Sequence, residues 1–185
     1  MLTAGDTVVV SSMLRRAVST AWIALEQRLR TASSEDPMHV TSMLQEMSRN
    51  VDTLSIAAAH TVPPLSSVNG ERFSVPDFKH CTSARFNTGN KAVTAVGRKR
   101  MRDFAAWCCA RPEDTIVVVG HSLYFRTMFQ MWLPKASDHV AKSKKLRNCG
   151  VVGFDFTQGK LANGELHYRI DPQSVSVVYL GFGGK

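Results

Sequence analysis

The chain has 185 residues, of which 44% are hydrophobic and 21% charged. This composition is typical of one soluble globular domain that buries a substantial core, and it excludes a disordered tail, a collagen and a coiled coil. Its longest uninterrupted apolar run, Phe104 to Ala110, is far shorter than the ~20 residues of a membrane helix, and its first residues lack the pattern of a secretory signal, so we expect a cytoplasmic protein with no membrane contact. The net charge of +8 favours an anionic partner.

The first half of the chain predicts one strand and one long helix. The β-branched run 7–10 indicates a buried strand closed by Ser11 and Ser12, either of which suits the N-cap of the next helix. That helix has one apolar face, at positions 14, 18, 21, 25 and 29. The pattern is weaker over the next three segments. Residues 32–38 are predicted to form a loop, and residues 44–59 a helical stretch. Residues 60–90 are a long irregular segment of the kind typical of a lid.

The second half alternates helices and strands more clearly. The pattern predicts helices at about 92–109 and 123–133, a strand at 116–119 of the kind buried on both faces of a parallel sheet, and later strands near 151–156, 166–170 and 175–180. The basic cluster 98–102 falls within the first of these helices, and we interpret it as a solvated face, since no nucleic-acid-binding motif accompanies it. The alternation predicts a single α/β domain with a mostly parallel sheet.

Two strand ends carry reactive side chains and open directly into helices. Arg16 follows the first strand, and Gly120-His121-Ser122 follows the strand at 116–119. Sites in such sheets form beyond the carboxyl ends of strands, and helix N-termini favour anions. A phosphate group is the ligand that this arrangement predicts.

The residues around these two ends resemble the histidine phosphatase superfamily, also called phosphoglycerate mutase-like. Residues 8–21 are similar to the family's strand followed by Ser-Pro-Leu-x-Arg-Ala-x-x-Thr-Ala, although Met13 replaces the proline. Residues 116–126 resemble the second signature, an apolar strand followed by His-Ser and an arginine, and residues 146–151 resemble the entry to the next strand. The resemblance implies a three-layer α/β fold with helices on both faces of the sheet.

The same resemblance implies site residues and a mechanism. Arg16 and Ser122 correspond to phosphate-binding positions, and His121 to the second active-site histidine, which phosphate oxygens favour as the cation. Glu46, in Leu44-Gln45-Glu46, corresponds to the carboxyl group that protonates the leaving alkoxide, with Asp52 in reserve. The family's nucleophile is the histidine of an Arg-His-Gly triplet, and none of the six histidines here stands in one.

Two explanations of the missing triplet are left open. One is a domain that is N-terminally incomplete and lacks the family's first strand, in which case this chain alone is inactive. The other is an inactive phosphatase-like domain that binds a phosphorylated small molecule or a phosphoprotein. The resemblance leaves the substrate, the choice between mutase and phosphatase, and the oligomeric state open. Arg72, Lys79 and Arg85 are anion contacts to be expected from the lid at 60–90.

A different enzyme class also fits part of the sequence. Gly120-His121-Ser122 resembles the nucleophile elbow of α/β-hydrolases, with Asp155 and His167 completing a triad, although Tyr124 stands where a small residue is needed. The phosphohistidine chemistry that the resemblance implies requires no metal and no organic cofactor, and the four cysteines lack metal-ligand spacing. They are predicted to be reduced thiols.

Overall fold

The structure, a computed structural model, describes residues 6–32, 35–48, 56–65, 80–91 and 96–183. The chain divides into two compact units, Met1–His121 and Ser122–Lys185, and each is described by itself. No helix in the described ranges is long and apolar enough to cross a membrane.

The first unit is built on a parallel sheet. Its strands are β1 (Thr7–Ser12), β2 (Met38–Thr41), β3 (Thr82–Phe86) and β4 (Thr115–Val119), its helices are α1 (Arg15–Ala24), α2 (Glu26–Thr31) and α3 (Val96–Cys109), and a 3-10 turn covers Ser42–Leu44. The strands lie in the order β3-β2-β1-β4 and every pair is parallel. The α/β fold with a parallel sheet is therefore confirmed.

The two apolar strands β1 and β4 differ in burial. All six residues of β1 are buried, since β2 and β4 pair with it on either side. The prediction that 116–119 is buried on both faces is wrong, because these valines and Ile116 are half-exposed. Among the described residues, β4 has β1 as its one neighbouring strand, which explains how so apolar a strand keeps solvent contact.

The helix after β1 begins and ends differently from the prediction. Its N-cap is Leu14, with no side-chain cap, so neither Ser11 nor Ser12 has that role. Leu25, at φ −120° and ψ 21°, separates α1 from α2. The apolar face is nevertheless as predicted, because α1 and α2 contribute buried residues to one cluster with β1 and β2, namely Val9, Met13, Val18, Ala21, Trp22, Leu29, Met38, Val40 and Cys81.

The segment between α2 and α3 contains two strands that the sequence did not reveal. Met38–Thr41 forms β2 and Thr82–Phe86 forms β3, so part of the segment predicted as a lid belongs to the sheet, and Arg85 lies on β3. The predicted helical stretch 44–59 is wrong in its described parts, which contain only the end of the 3-10 turn and irregular backbone. Asp52, Arg72 and Lys79 lie outside the described residues.

The second unit combines one helix with two antiparallel strand pairs. Helix α4 (Ser122–Trp132) is followed by a 3-10 turn (Val140–Lys142) and by β5 (Val151–Gly153), β6 (Phe156–Lys160), β7 (Leu166–Ile170) and β8 (Ser176–Tyr179). β5 pairs with β8, and β6 with β7. Trp132 of α4 packs against Phe156 and Tyr168, whose rings are stacked. The strand predicted at 151–156 is thus two strands.

Candidate active site

The candidate site lies where β1 and β4 end. The two strands pair in parallel with Ser11 opposite Val119, so the residues that follow come together at the carboxyl edge of the sheet. The ring Nε2 of His121 lies 2.8 Å from Oγ of Ser12. Both side chains are buried, with 6% and 0% of their surface exposed. The strand pairing therefore fixes the position of the histidine ring.

Arg16 acts on this histidine through its charge. Arg16 lies in the first turn of α1 and its residue surface is exposed. Two effects lower the pKa of His121 to about 3. The larger is burial of the ring, and the second is the positive charge of the Arg16 guanidinium. In the protein itself the imidazole is therefore neutral near pH 7, whereas the resemblance implied a cation among phosphate oxygens. A phosphate dianion beside the ring would favour the cation and so oppose this lowering of the pKa.

Comparison with known proteins identifies a family for the chain. The family model described as histidine phosphatase superfamily (branch 1) matches residues 3–167. The chain belongs to the histidine phosphatase superfamily. No curated protein and no solved structure gives a significant match.

Glu46, the candidate proton donor, lies in the loop that follows β2. The buried guanidinium of Arg100 in α3 holds this loop, since one of its nitrogens donates to the carbonyl oxygens of Ser42 and Gln45, at 3.3 and 2.9 Å. The Glu46 side chain is nearly buried, and its Oε1 accepts a hydrogen bond from the Met47 N–H at 2.7 Å. The structure thus places Glu46 in the loop beyond β2, the strand that pairs with β1.

Two buried amide side chains join the loops beyond β2 and β3. Gln45 donates to Asn90 Oδ1 and to the Lys91 carbonyl oxygen, and accepts from the Lys91 N–H at 2.8 Å. Asn87 donates to the carbonyl oxygens of Ala58 and Thr61, both at 2.8 Å. Neither residue was singled out from the sequence. Hydrogen bonds from Gln45 and Asn87 therefore hold the loops at this edge of the sheet together.

Arg100 corrects the interpretation of the basic cluster. Arg98 and Lys99 are exposed, as a solvated face requires, but Arg100 is only 4% exposed. The signal for this was present in the sequence, because Arg100 lies next to Met101 and four residues before Phe104 on the apolar face of the helix.

The residues of the competing hydrolase triad are not joined. Ser122 is the first residue of α4, and Asp155 and His167 lie further along the same second unit. Within the part of the chain that the structure describes, no hydrogen bond links the side chains of Ser122, Asp155 and His167. The histidine of the elbow sequence is bonded instead to Ser12.

The thiols and carboxylates of the described residues form no metal site. No group of three or more His, Cys, Asp or Glu side chains in those ranges could hold a metal ion. All four cysteines are free thiols. Burial, with a smaller effect of Cys109, raises the pKa of Cys108 to about 12, so this thiol stays protonated.

Proposed function

We propose that this chain binds a phosphate monoester and holds its phosphoryl group between Arg16 and His121. The observation that carries the proposal is the parallel pairing of β1 with β4, which brings the His121 ring to within 2.8 Å of Ser12 Oγ, four residues before Arg16. The effect of the Arg16 charge on the pKa of His121 is consistent with this placement. The planar guanidinium of Arg16 offers two parallel N–H donors to phosphoryl oxygens. Ser122, at the first position of α4, is proposed as a further phosphate contact.

The reaction proposed for the complete site proceeds through phosphohistidine. A neutral imidazole nitrogen forms a bond to phosphorus while the ester P–O bond breaks, and Glu46 gives its proton to the leaving alkoxide. Water activated by the Glu46 carboxylate then cleaves the P–N bond and releases inorganic phosphate. The nucleophile belongs to an Arg-His-Gly segment, which the 185 residues do not include. Arg16 and His121 stabilise the charge on the equatorial oxygens in both steps.

A second function is favoured by the same observation. A chain with the arginine and the second histidine but without the Arg-His-Gly triplet can bind a phosphorylated small molecule or a phosphoprotein without turning it over. Binding and turnover are separate properties, and phosphate binding is common to both functions. It is therefore the property to measure first.

The experiment is calorimetric titration of the chain with inorganic phosphate and with vanadate. Loss of one charge-assisted contact costs about 1.5–3 kcal/mol, so Arg16→Ala should weaken binding roughly tenfold or more. Arg15→Ala is the matched control, because it removes the same charge from the neighbouring, half-buried position. Equal affinity in the wild type and Arg16→Ala would refute the placement of the phosphate.

A further inference from the structure

Ser12 has a hydroxyl group whose surroundings are unusually restricted. The residue is fully buried, with 0% of its surface exposed. Among the described residues its Oγ has two hydrogen-bond partners: the Leu14 N–H, which donates to it at 3.3 Å, and Nε2 of His121 at 2.8 Å. Solvent cannot reach Oγ, so these two partners must account for its hydrogen-bonding capacity.

The direction of the bond to His121 follows from this inventory. A serine hydroxyl has one hydrogen and two lone pairs, and the Leu14 N–H occupies one lone pair. The hydrogen of Ser12 needs an acceptor, and a buried polar group without one is strongly disfavoured. Nε2 of His121 is the acceptor that the described residues provide. Ser12 therefore donates and Nε2 is unprotonated.

The proton of the neutral ring then lies on the other nitrogen. Which ring nitrogen carries the proton is set by the hydrogen bond that the opposite nitrogen makes. Among the described residues, Nδ1 of His121 has no hydrogen-bond partner. We infer that Ser12 is a positioning residue that holds His121 as the Nδ1–H tautomer, so that Nδ1–H is the donor offered to a phosphoryl oxygen. The phosphate part of this inference rests on the proposed function, whereas the tautomer does not.

Protonation of the ring works against the same bond. In the imidazolium both nitrogens donate, so Nε2–H would point at Oγ and the Ser12 hydrogen would lose its acceptor. Ser12 thus favours the neutral ring, as do burial and the Arg16 charge, which lower the pKa of His121. A histidine held in this way donates one defined N–H to its ligand.

The test is long-range ¹H–¹⁵N NMR of the intact chain labelled with ¹⁵N-histidine. We expect His121 of the wild type to be protonated on Nδ1 near pH 7, and Ser12→Ala to move the proton toward Nε2, the nitrogen that carries it in a free histidine side chain. Ser11→Ala is the matched control, since Ser11 is equally buried but its hydroxyl bonds to the Ser12 carbonyl oxygen. It should leave the tautomer unchanged, and Ser12→Thr, which keeps a hydroxyl, should preserve it.

A parallel titration with inorganic phosphate separates the two claims. Ser12→Ala should bind phosphate about five- to tenfold more weakly than the wild type, with Ser11→Ala unaffected. A wild-type His121 protonated on Nε2, or a Ser12→Ala variant that keeps the Nδ1–H tautomer, would overturn the role of Ser12. The wild-type spectrum decides this even where Ser12→Ala does not fold. The expected tautomers without any phosphate binding would overturn the proposed function and support the tautomer assignment.

Discussion

Ser11 of β1 lies opposite Val119 of β4 in parallel register. Because of this register, the next residues along each strand meet, and the ring of His121 reaches Ser12 across 109 residues of sequence. The geometry of the candidate site is therefore a property of strand pairing, and substitutions that disturb the pairing would alter the site without touching its side chains.

The stability of the chain should depend on pH through His121. Its pKa falls from 6.5 to about 3 in the folded protein, so between these values the unfolded chain binds a proton that the folded chain does not. The free energy of unfolding should then rise with pH across this window, by up to about 1.4 kcal/mol per pH unit. The contribution is complete above the unfolded pKa and is lost as the pH falls toward the folded one.

Urea denaturation of the wild type and His121→Gln at several pH values isolates this effect. The difference in free energy of unfolding between the two proteins should grow as the pH rises from about 4 to 7. A constant difference for His121→Gln would show that the folded ring titrates normally.

Arg100 should be important for stability although it belongs to a basic cluster. Arg100→Ala removes a buried guanidinium and takes away the donor to the Gln45 carbonyl oxygen, whereas the Ser42 carbonyl oxygen keeps the Gln45 N–H as a donor. We expect a loss of about 2–4 kcal/mol in the free energy of unfolding. Arg98→Ala, in the exposed part of the same helix, should change it by less than about 0.5 kcal/mol. Similar effects of the two substitutions, measured by urea denaturation, would argue against the buried contact.

The exposed apolar strand β8 should promote association of the chain. Val177, Val178 and Tyr179 are 57%, 68% and 58% exposed, and strand edges of this kind pair with other chains unless charges protect them. Val178→Lys should shift the chain toward the monomer in analytical ultracentrifugation. Ile23→Lys places the same charge on an exposed residue of α1 and should not. A wild type that is monomeric at all concentrations would contradict this prediction.

The chain as given should turn over p-nitrophenyl phosphate negligibly. In the proposed function Arg16 and His121 bind the phosphoryl group, but the reaction needs the histidine of an Arg-His-Gly segment. Fusion of an upstream segment whose strand ends in Arg-His-Gly should produce turnover, lost on His121→Ala, together with a sharper thermal unfolding transition. Turnover by the rigorously purified short chain that is lost on His121→Ala would refute the need for that segment. A short chain that is monomeric and unfolds as sharply as the fusion would favour the binding function.

The elements that the sequence predicted well are those with long apolar patterns. β1, α3, β4 and α4 carry such patterns over most of their length, and the structure places them within a few residues of the prediction. β2 and β3 have no such pattern, since Thr82–Phe86 includes Arg85 and Met38–Thr41 has only four residues. These strands form because each pairs with a neighbour, and that contact is not encoded locally.

The candidate site was predictable in its residues but not in its contacts. Arg16 and His121 follow from motifs that occupy short stretches of chain. The bond between Ser12 and His121 depends on the register of β1 and β4, and the inward turn of Arg100 depends on carbonyl groups 55 to 58 residues away. The sequence places Arg100 on the apolar face of its helix, but the carbonyl acceptors that offset the burial of its charge are not visible in the local sequence.

The central claim is that Arg16 and His121 bind one phosphoryl group together. The most direct measurement is a titration of the ¹⁵N-labelled chain with inorganic phosphate, following the His121 ring and the Arg16 guanidinium by NMR. Both signals should shift along curves with the same dissociation constant, and Arg15 should not follow them. Phosphate binding that leaves both signals unchanged, or no binding at millimolar phosphate, would contradict the account.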